Sequence, residues 1–89
     1  MVVYEWDNEK NKKLKKERNV SFEEVIIALE GKKLLDILEH PNKQKYKNQE
    51  IFVVEIDRYA YYVPFEETGD TIILKTIFPN EKATKKYLI

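Results

Sequence analysis

The chain has no cysteine, one histidine and two glycines. Without thiols it forms neither a disulfide nor a thiolate metal site, and a reducing compartment is the simpler setting. Two glycines cannot build a glycine-rich phosphate loop, and a single histidine leaves no pair at metal-ligand spacing. No apolar run approaches a membrane-spanning length, and the N-terminus lacks the apolar stretch of an export signal. These absences predict a cytoplasmic protein that avoids membranes and uses no metal or cofactor. Charge of one sign is also missing: 16 basic residues balance 16 acidic ones, so composition alone gives no sign of a nucleic-acid partner.

What is present suffices for one domain spanning residues 1–89. A chain this short buries only about 60–65% of its unfolded surface, so its stability is marginal or borrowed from a partner. Hydrophobic residues make up 43% and aromatic ones 12%, enough for a core and too many for a disordered chain.

The richest β-forming stretch runs from Ile51 to Phe78. Its three runs, Ile51–Ile56, Tyr59–Phe65 and Thr71–Phe78, are dense in branched and aromatic residues that suit a pleated, half-buried surface. The breaks between them, Asp57-Arg58 and Glu66–Asp70, are too short for parallel crossovers. An antiparallel meander follows, with Pro64 expected at an edge or where no ladder amide is needed. The first run is apolar on both faces (Phe52, Val54 and Ile56 on one, Ile51 and Val53 on the other), so both should be covered, by the final helix or by a partner.

Val2–Trp6 reads as a first strand, and Asp7 as the N-cap of a helix over Asn8–Arg18 whose only apolar residue is Leu14. Ser21 and Glu24 form a capping-box pattern, with Val20 placed to staple onto Val25. Phe22, Val25, Ile26 and Leu29 recur at helical spacing, and Gly31 suits a left-handed helix end. Leu34–Glu39 reads as a strand ended by His40-Pro41, Asn42–Gln49 as a loop, and Glu81–Tyr87 as a last helix after Pro79-Asn80. The expected fold class is α+β: an antiparallel sheet, the three-stranded meander plus one or two short strands, with two N-terminal helices packed on it and a short C-terminal helix.

Charge is unevenly placed. Lys10–Arg18 holds six basic residues against Glu17, and Thr71–Ile89 four lysines against Glu81, while Leu34–Asp70 carries eight acids against four bases. Two basic ends around an acidic middle suit either one anion-facing side or ordinary solvated surfaces. His40 is the one side chain of a type that changes charge near neutral pH, so it is a candidate for proton transfer as well as a plausible turn residue. Tyr59 and Tyr61 share one strand face and Tyr62 the other, as core residues with wet tips or as a stacking platform for bases. Lys75 interrupts an apolar run, and with Lys82, Lys85 and Lys86 it could make a phosphate-binding patch or a solvated helix face.

Three segments carry a resemblance. Trp6-Asp7-Asn8-Glu9-Lys10-Asn11, Val20-Ser21-Phe22-Glu23-Glu24-Val25 and Lys82-Ala83-Thr84-Lys85-Lys86-Tyr87-Leu88 occur in the order seen in BrnT-type toxins of bacterial type II toxin–antitoxin systems. The chain resembles that family over nearly its whole length. The resemblance implies a compact RelE-like fold and a metal-independent ribonuclease that stops translation. It also implies neutralisation by a small ribbon-helix-helix antitoxin, through which alone the toxin would reach operator DNA. On that reading His40, Lys75 and Tyr61 are catalytic candidates, and Arg58, Lys82, Lys85 and Lys86 would bind RNA phosphates. One departure stands out: Asn80-Glu81 occupy a place where family members often carry arginine, a planar fork for phosphate. The alternative is a catalytically degenerate module that only holds an antitoxin or another protein.

Overall fold

The computed structural model describes residues 2–89. In chain order the elements are β1 (Val3–Glu5), α1 (Asn8–Arg18), α2 (Phe22–Glu30), β2 (Leu34–Glu39), β3 (Gln49–Ile56), β4 (Tyr59–Thr68), β5 (Thr71–Leu74), β6 (Phe78–Pro79) and α3 (Glu81–Leu88). The class is α+β. The sheet order is β1-β5-β4-β3-β2, with β6 also beside β4. It is mixed rather than antiparallel throughout, because β1 pairs parallel with β5, from Val3↔Thr71 to Glu5↔Ile73. Both helices of the N-terminal half and the strands β2 to β4 separate β1 from β5, so no local pattern announces that pairing.

The meander forms as its short breaks require. Asp57 and Arg58 make the β3–β4 turn with φ of 55° and 66°, the left-handed pair that a two-residue hairpin favours. β4 runs beyond the expected end at Phe65 to pair Thr68 with Thr71, leaving Gly69-Asp70 as the turn, with Gly69 at φ 59°.

The third run does not continue unbroken to Phe78. β5 pairs Leu74 with Phe65, and the Lys75 amide donates to the Pro64 carbonyl at 2.8 Å. β6 then pairs Phe78 with Tyr62. Residues 75–77 therefore face only Pro64 and Val63, one residue too many, which is a β-bulge. Pro64 has no amide to return to this neighbour, and a central strand accepts proline at such a site. The extra residue lets both Leu74 and Ile77 enter the same core, which strict alternation forbids. The Ile77 carbonyl, released from the ladder, takes a hydrogen bond from Arg18 Nη1 at 2.7 Å.

A second bulge lies in β2, where Leu34 pairs with Val54 but Asp36 with Val53. It places Leu35 and Leu38 in one cluster and accounts for the imperfect alternation of that strand.

Each face of the sheet has its own cover. On one, α1 and α2 supply Leu14, Val20, Phe22, Val25 and Ala28 against Phe52, Val54, Ile56, Val63, Phe65, Leu74 and Ile77. On the other, α3 brings Ala83, Tyr87 and Leu88 against Val53, Ala60, Leu35, Leu38 and Tyr62. The final helix thus covers part of the second apolar face of β3.

Polar α1 is held by more than Leu14. Asn11 is buried as well: its Oδ1 accepts from the Phe22 amide at 2.8 Å, and its Nδ2 donates to Glu23 at 2.7 Å. Asp7 caps α1 through the Glu9 and Lys10 amides, and Ser21 Oγ caps α2 through the Glu24 amide. The box is half-built, since Glu24 meets the Ser21 hydroxyl. Gly31 is not left-handed (φ −87°); Lys32 takes that conformation at φ 63°, and the Lys33 amide reaches back to the Ala28 carbonyl. That longer hydrogen-bonded closure moves the left-handed position one residue past the glycine.

α3 is fastened at both ends. Asn80 caps it through the Ala83 amide, and its own amide donates to the Ala60 carbonyl. Buried Thr84 accepts from the Ala60 amide at 2.9 Å and donates to the Asn80 carbonyl at 2.8 Å. At the far end the Tyr87 phenol donates to Asp36 Oδ2.

Two outcomes follow. Arg18→Ala leaves the Ile77 carbonyl without its charged donor and should lower the unfolding free energy by about 1–2 kcal/mol in urea titration; an unchanged midpoint would show that water replaces it. The second concerns acid. The Tyr87 phenol, then the Ile37 amide, hold the Asp36 carboxyl below its ordinary range. A lower folded value means that the contact stabilises the fold above the ordinary carboxylate range and fades as pH falls through the folded value. The melting-temperature gap between wild type and Tyr87→Phe should therefore be present at pH 7 and close towards pH 2; a gap independent of pH contradicts the assignment.

Candidate functional site

The face carrying α3 is not wholly covered. Beside the helix cluster lie two adjoining hollows of about 430 and 420 Å³, and His40, Pro64 and Phe78 line both. The first is mainly apolar, walled in addition by Leu38, Ile51, Tyr62, Pro41 and Glu39. The second adds Lys75, Thr76, Tyr46 and Gln49.

Each wall has a local origin. β2 ends at Glu39, ahead of Pro41, which leaves His40 just past the strand, lining the same hollow as Leu38. The following loop turns back: the Tyr46 amide donates to the Asn42 carbonyl and the Gln49 amide to the Tyr46 carbonyl. This return lays the Tyr46 ring on His40, with centroids 4.4 Å apart. The Asn42 amide donates to His40 Nδ1 at 3.2 Å, so in the neutral imidazole the proton sits on Nε2, the nitrogen left for a ligand. On the opposite wall the bulge delivers Lys75 and Thr76, and Phe78 meets Tyr62 edge-on at 5.7 Å.

Lys75 is partly engaged, with Nζ 3.7 Å from Glu66. Both side chains stay more than a third or about a third exposed, so water screens the pair and an arriving anion competes for the ammonium at small cost. The site combines one cation, one imidazole N–H and an apolar aromatic floor. Such a set can hold a phosphate next to a flat ring.

The residues expected from sequence divide. His40 and Lys75 meet in this groove. Tyr61 does not: it packs with the α1–α2 core on the other face, in a hollow with Arg18, Asp57 and Glu24. Burial there, with Asp57 and Glu24 adding to it, raises its pKa and makes it a poorer proton donor. Odd and even positions of β4 point to opposite faces, so Tyr62 is the strand tyrosine that reaches the groove.

None of Arg58, Lys82, Lys85 and Lys86 lines the groove. Arg58 sits in the β3–β4 turn. The three lysines lie on the exposed side of α3, where Lys85 pairs with Glu81 at 3.2 Å and Lys86 lies over the Tyr87 ring at 5.1 Å. Tyr46, Gln49 and Phe78 were missed as groove residues; the turn chemistry of Pro41-Asn42 was the one local sign that the loop would fold back. Comparison of the chain with protein-family models, with curated proteins and with solved structures finds no match.

The turn position of Arg58 has a measurable consequence. A left-handed arginine is strained where glycine is not, so Arg58→Gly should raise the unfolding free energy by about 0.5–1 kcal/mol. If it also leaves nucleic-acid affinity unchanged, Arg58 belongs to the turn alone; a marked loss of affinity would return it to the binding surface.

Proposed function

We propose that this chain is a small RNA-cleaving toxin of the BrnT-like, RelE-related kind, working from the groove between His40 and Lys75. The convergence of the single histidine and a bulge lysine on one open aromatic hollow carries the reading. The resemblance of the three sequence segments supports it from a separate direction.

The chemistry is transphosphorylation. The ribose 2′-oxygen loses its proton to solvent and bonds to phosphorus, the bond to the 5′-oxygen breaks, and that oxygen takes up a proton. A 2′,3′-cyclic phosphate and a 5′-hydroxyl result. Two donors face the charge that builds on the phosphorane: the Lys75 ammonium and the His40 Nε2–H. The Asn42 contact to Nδ1 suits His40 to donation rather than to proton abstraction. The Asn42 contact sets the His40 donor before the reaction, at no cost in reorganisation, whereas Lys75 exchanges Glu66 for the phosphate. A small ribbon-helix-helix antitoxin would neutralise the toxin and carry operator binding, and the setting is the bacterial cytoplasm.

A second reading keeps the fold and drops the catalysis. Leu34 and Ile37 stand exposed on β2, an uncovered edge strand, as a surface for holding a protein partner.

Expression of the chain alone in bacteria tests both. Growth arrest with cleaved messenger RNA is expected, with His40→Ala and Lys75→Ala each slowing cleavage of purified RNA by about 100-fold or more. His40→Gln should recover part of that loss by restoring an N–H donor. Combined replacement of Lys82, Lys85 and Lys86 by alanine should change the rate only a few-fold, about the worth of exposed charges. Normal growth and intact RNA, together with co-purification of a ribbon-helix-helix protein, select the second reading.

A further inference from the structure

The two hollows differ in a way that the cleavage chemistry does not use. A scissile phosphate needs only Lys75 and the His40 N–H, both at the polar hollow. The adjoining hollow, of about 430 Å³, is walled by Leu38, Ile51, Tyr62, Pro64 and Phe78 and offers almost no polar partner beyond its His40 and Glu39 rim. Phe78 and His40 belong to both, so a ligand that fills one touches the edge of the other.

Resting on the nuclease reading, we infer that the apolar hollow is a nucleobase subsite, which makes the substrate single-stranded RNA with one base turned out of its stack. A nucleotide is a flat apolar ring joined to an anion, and the two hollows offer the complement of each at adjoining positions. The floor supplies ring faces and edges in Tyr62 and Phe78, whose planes stand 60° apart. Stacking of this kind tolerates any base, and the sparse polar lining predicts weak sequence preference at this position. A base in a duplex is held on both faces by its neighbours and cannot enter without the cost of unstacking. Lys75 stands at the phosphate end, where Glu66 pairs with its ammonium at 3.7 Å, and the one carboxylate lining the apolar hollow, that of Glu39, is paired with Lys43 at 2.7 Å.

The test uses a 2′-O-methylated adenosine dinucleotide, which cannot be cleaved, titrated into the full chain and followed by nuclear magnetic resonance. Shifts are expected at Leu38, His40, Tyr46, Tyr62, Lys75 and Phe78, with affinity well above that for ribose 5-phosphate, which lacks the base. Tyr62→Leu keeps apolar bulk and removes a ring that lines the apolar hollow alone; it should weaken the dinucleotide about fivefold or more and leave ribose 5-phosphate unchanged. Phe78→Leu, read on the dinucleotide because Phe78 lines both hollows, serves as a second variant if the first fails to melt cooperatively. Glu66→Gln should tighten both probes about two- to fivefold by freeing Lys75.

Equal affinity for the two probes overturns the base subsite, as do shifts confined to the exposed side of α3 or to the Tyr61 face. Failure of the function is a separate result. A dinucleotide seated in the groove of a protein that cleaves no RNA supports the subsite and removes the nuclease. RNA cleavage lost in Lys75→Ala but untouched in Tyr62→Leu does the reverse.

Discussion

A missing amide governs this molecule. Pro64 lies in a central strand, where every other backbone group is expected to serve the ladder, and it has nothing to donate to the strand beside it. The neighbouring chain answers by inserting one extra residue. That bulge turns Ile77 into the α1–α2 core and leaves Lys75 and Thr76 on the far side, at the groove. It also frees the Ile77 carbonyl, which Arg18 reaches from the end of α1. One local defect thereby links the first helix, the sheet and the groove.

The three segments on which the proposed toxin kinship rests are largely occupied in holding helices. Trp6 stacks on Phe22 at 5.7 Å, Asp7 and Ser21 cap helices, and Asn11 joins α1 to the start of α2. In the tail, Ala83 and Thr84 seat α3 on the sheet, and Asn80 is that helix's cap. The surface that could do chemistry is built elsewhere, from the end of β2, the loop after it, and the bulge. Those are the segments with least regular structure, where side chains can be aimed without breaking a ladder.

Much of the architecture was legible in the chain because short-range physics decided it. The capping residues, the helical spacing of Phe22, Val25 and Leu29, and the tight break at Asp57-Arg58 each act within a few residues. What escaped depended on distant partners. The parallel seat of β1 beside β5 has no local signature, and neither has buried Asn11 in a lysine-rich helix. Alternation put Tyr61 and Tyr62 on opposite faces, yet which face would be closed by α1 and α2 was a tertiary outcome. The same limit applied to the basic residues: Lys75 and His40 come together only through a bulge and a returning loop. The charges of α3, which looked like a patch in sequence, lie on a solvated helix face.

The Pro64 bulge aims residue 75 into the His40 groove, and this placement can be tested. The absence of cysteine makes it directly measurable, since a spin label on Lys75→Cys reports from one place only. Proton relaxation measured on side-chain signals should show stronger broadening of the His40 and Tyr46 rings than of Phe22 and Val25 on the opposite face. Stronger broadening of Phe22 and Val25 than of His40 and Tyr46 would place residue 75 on the wrong side of the sheet and contradict both the bulge and the site built on it.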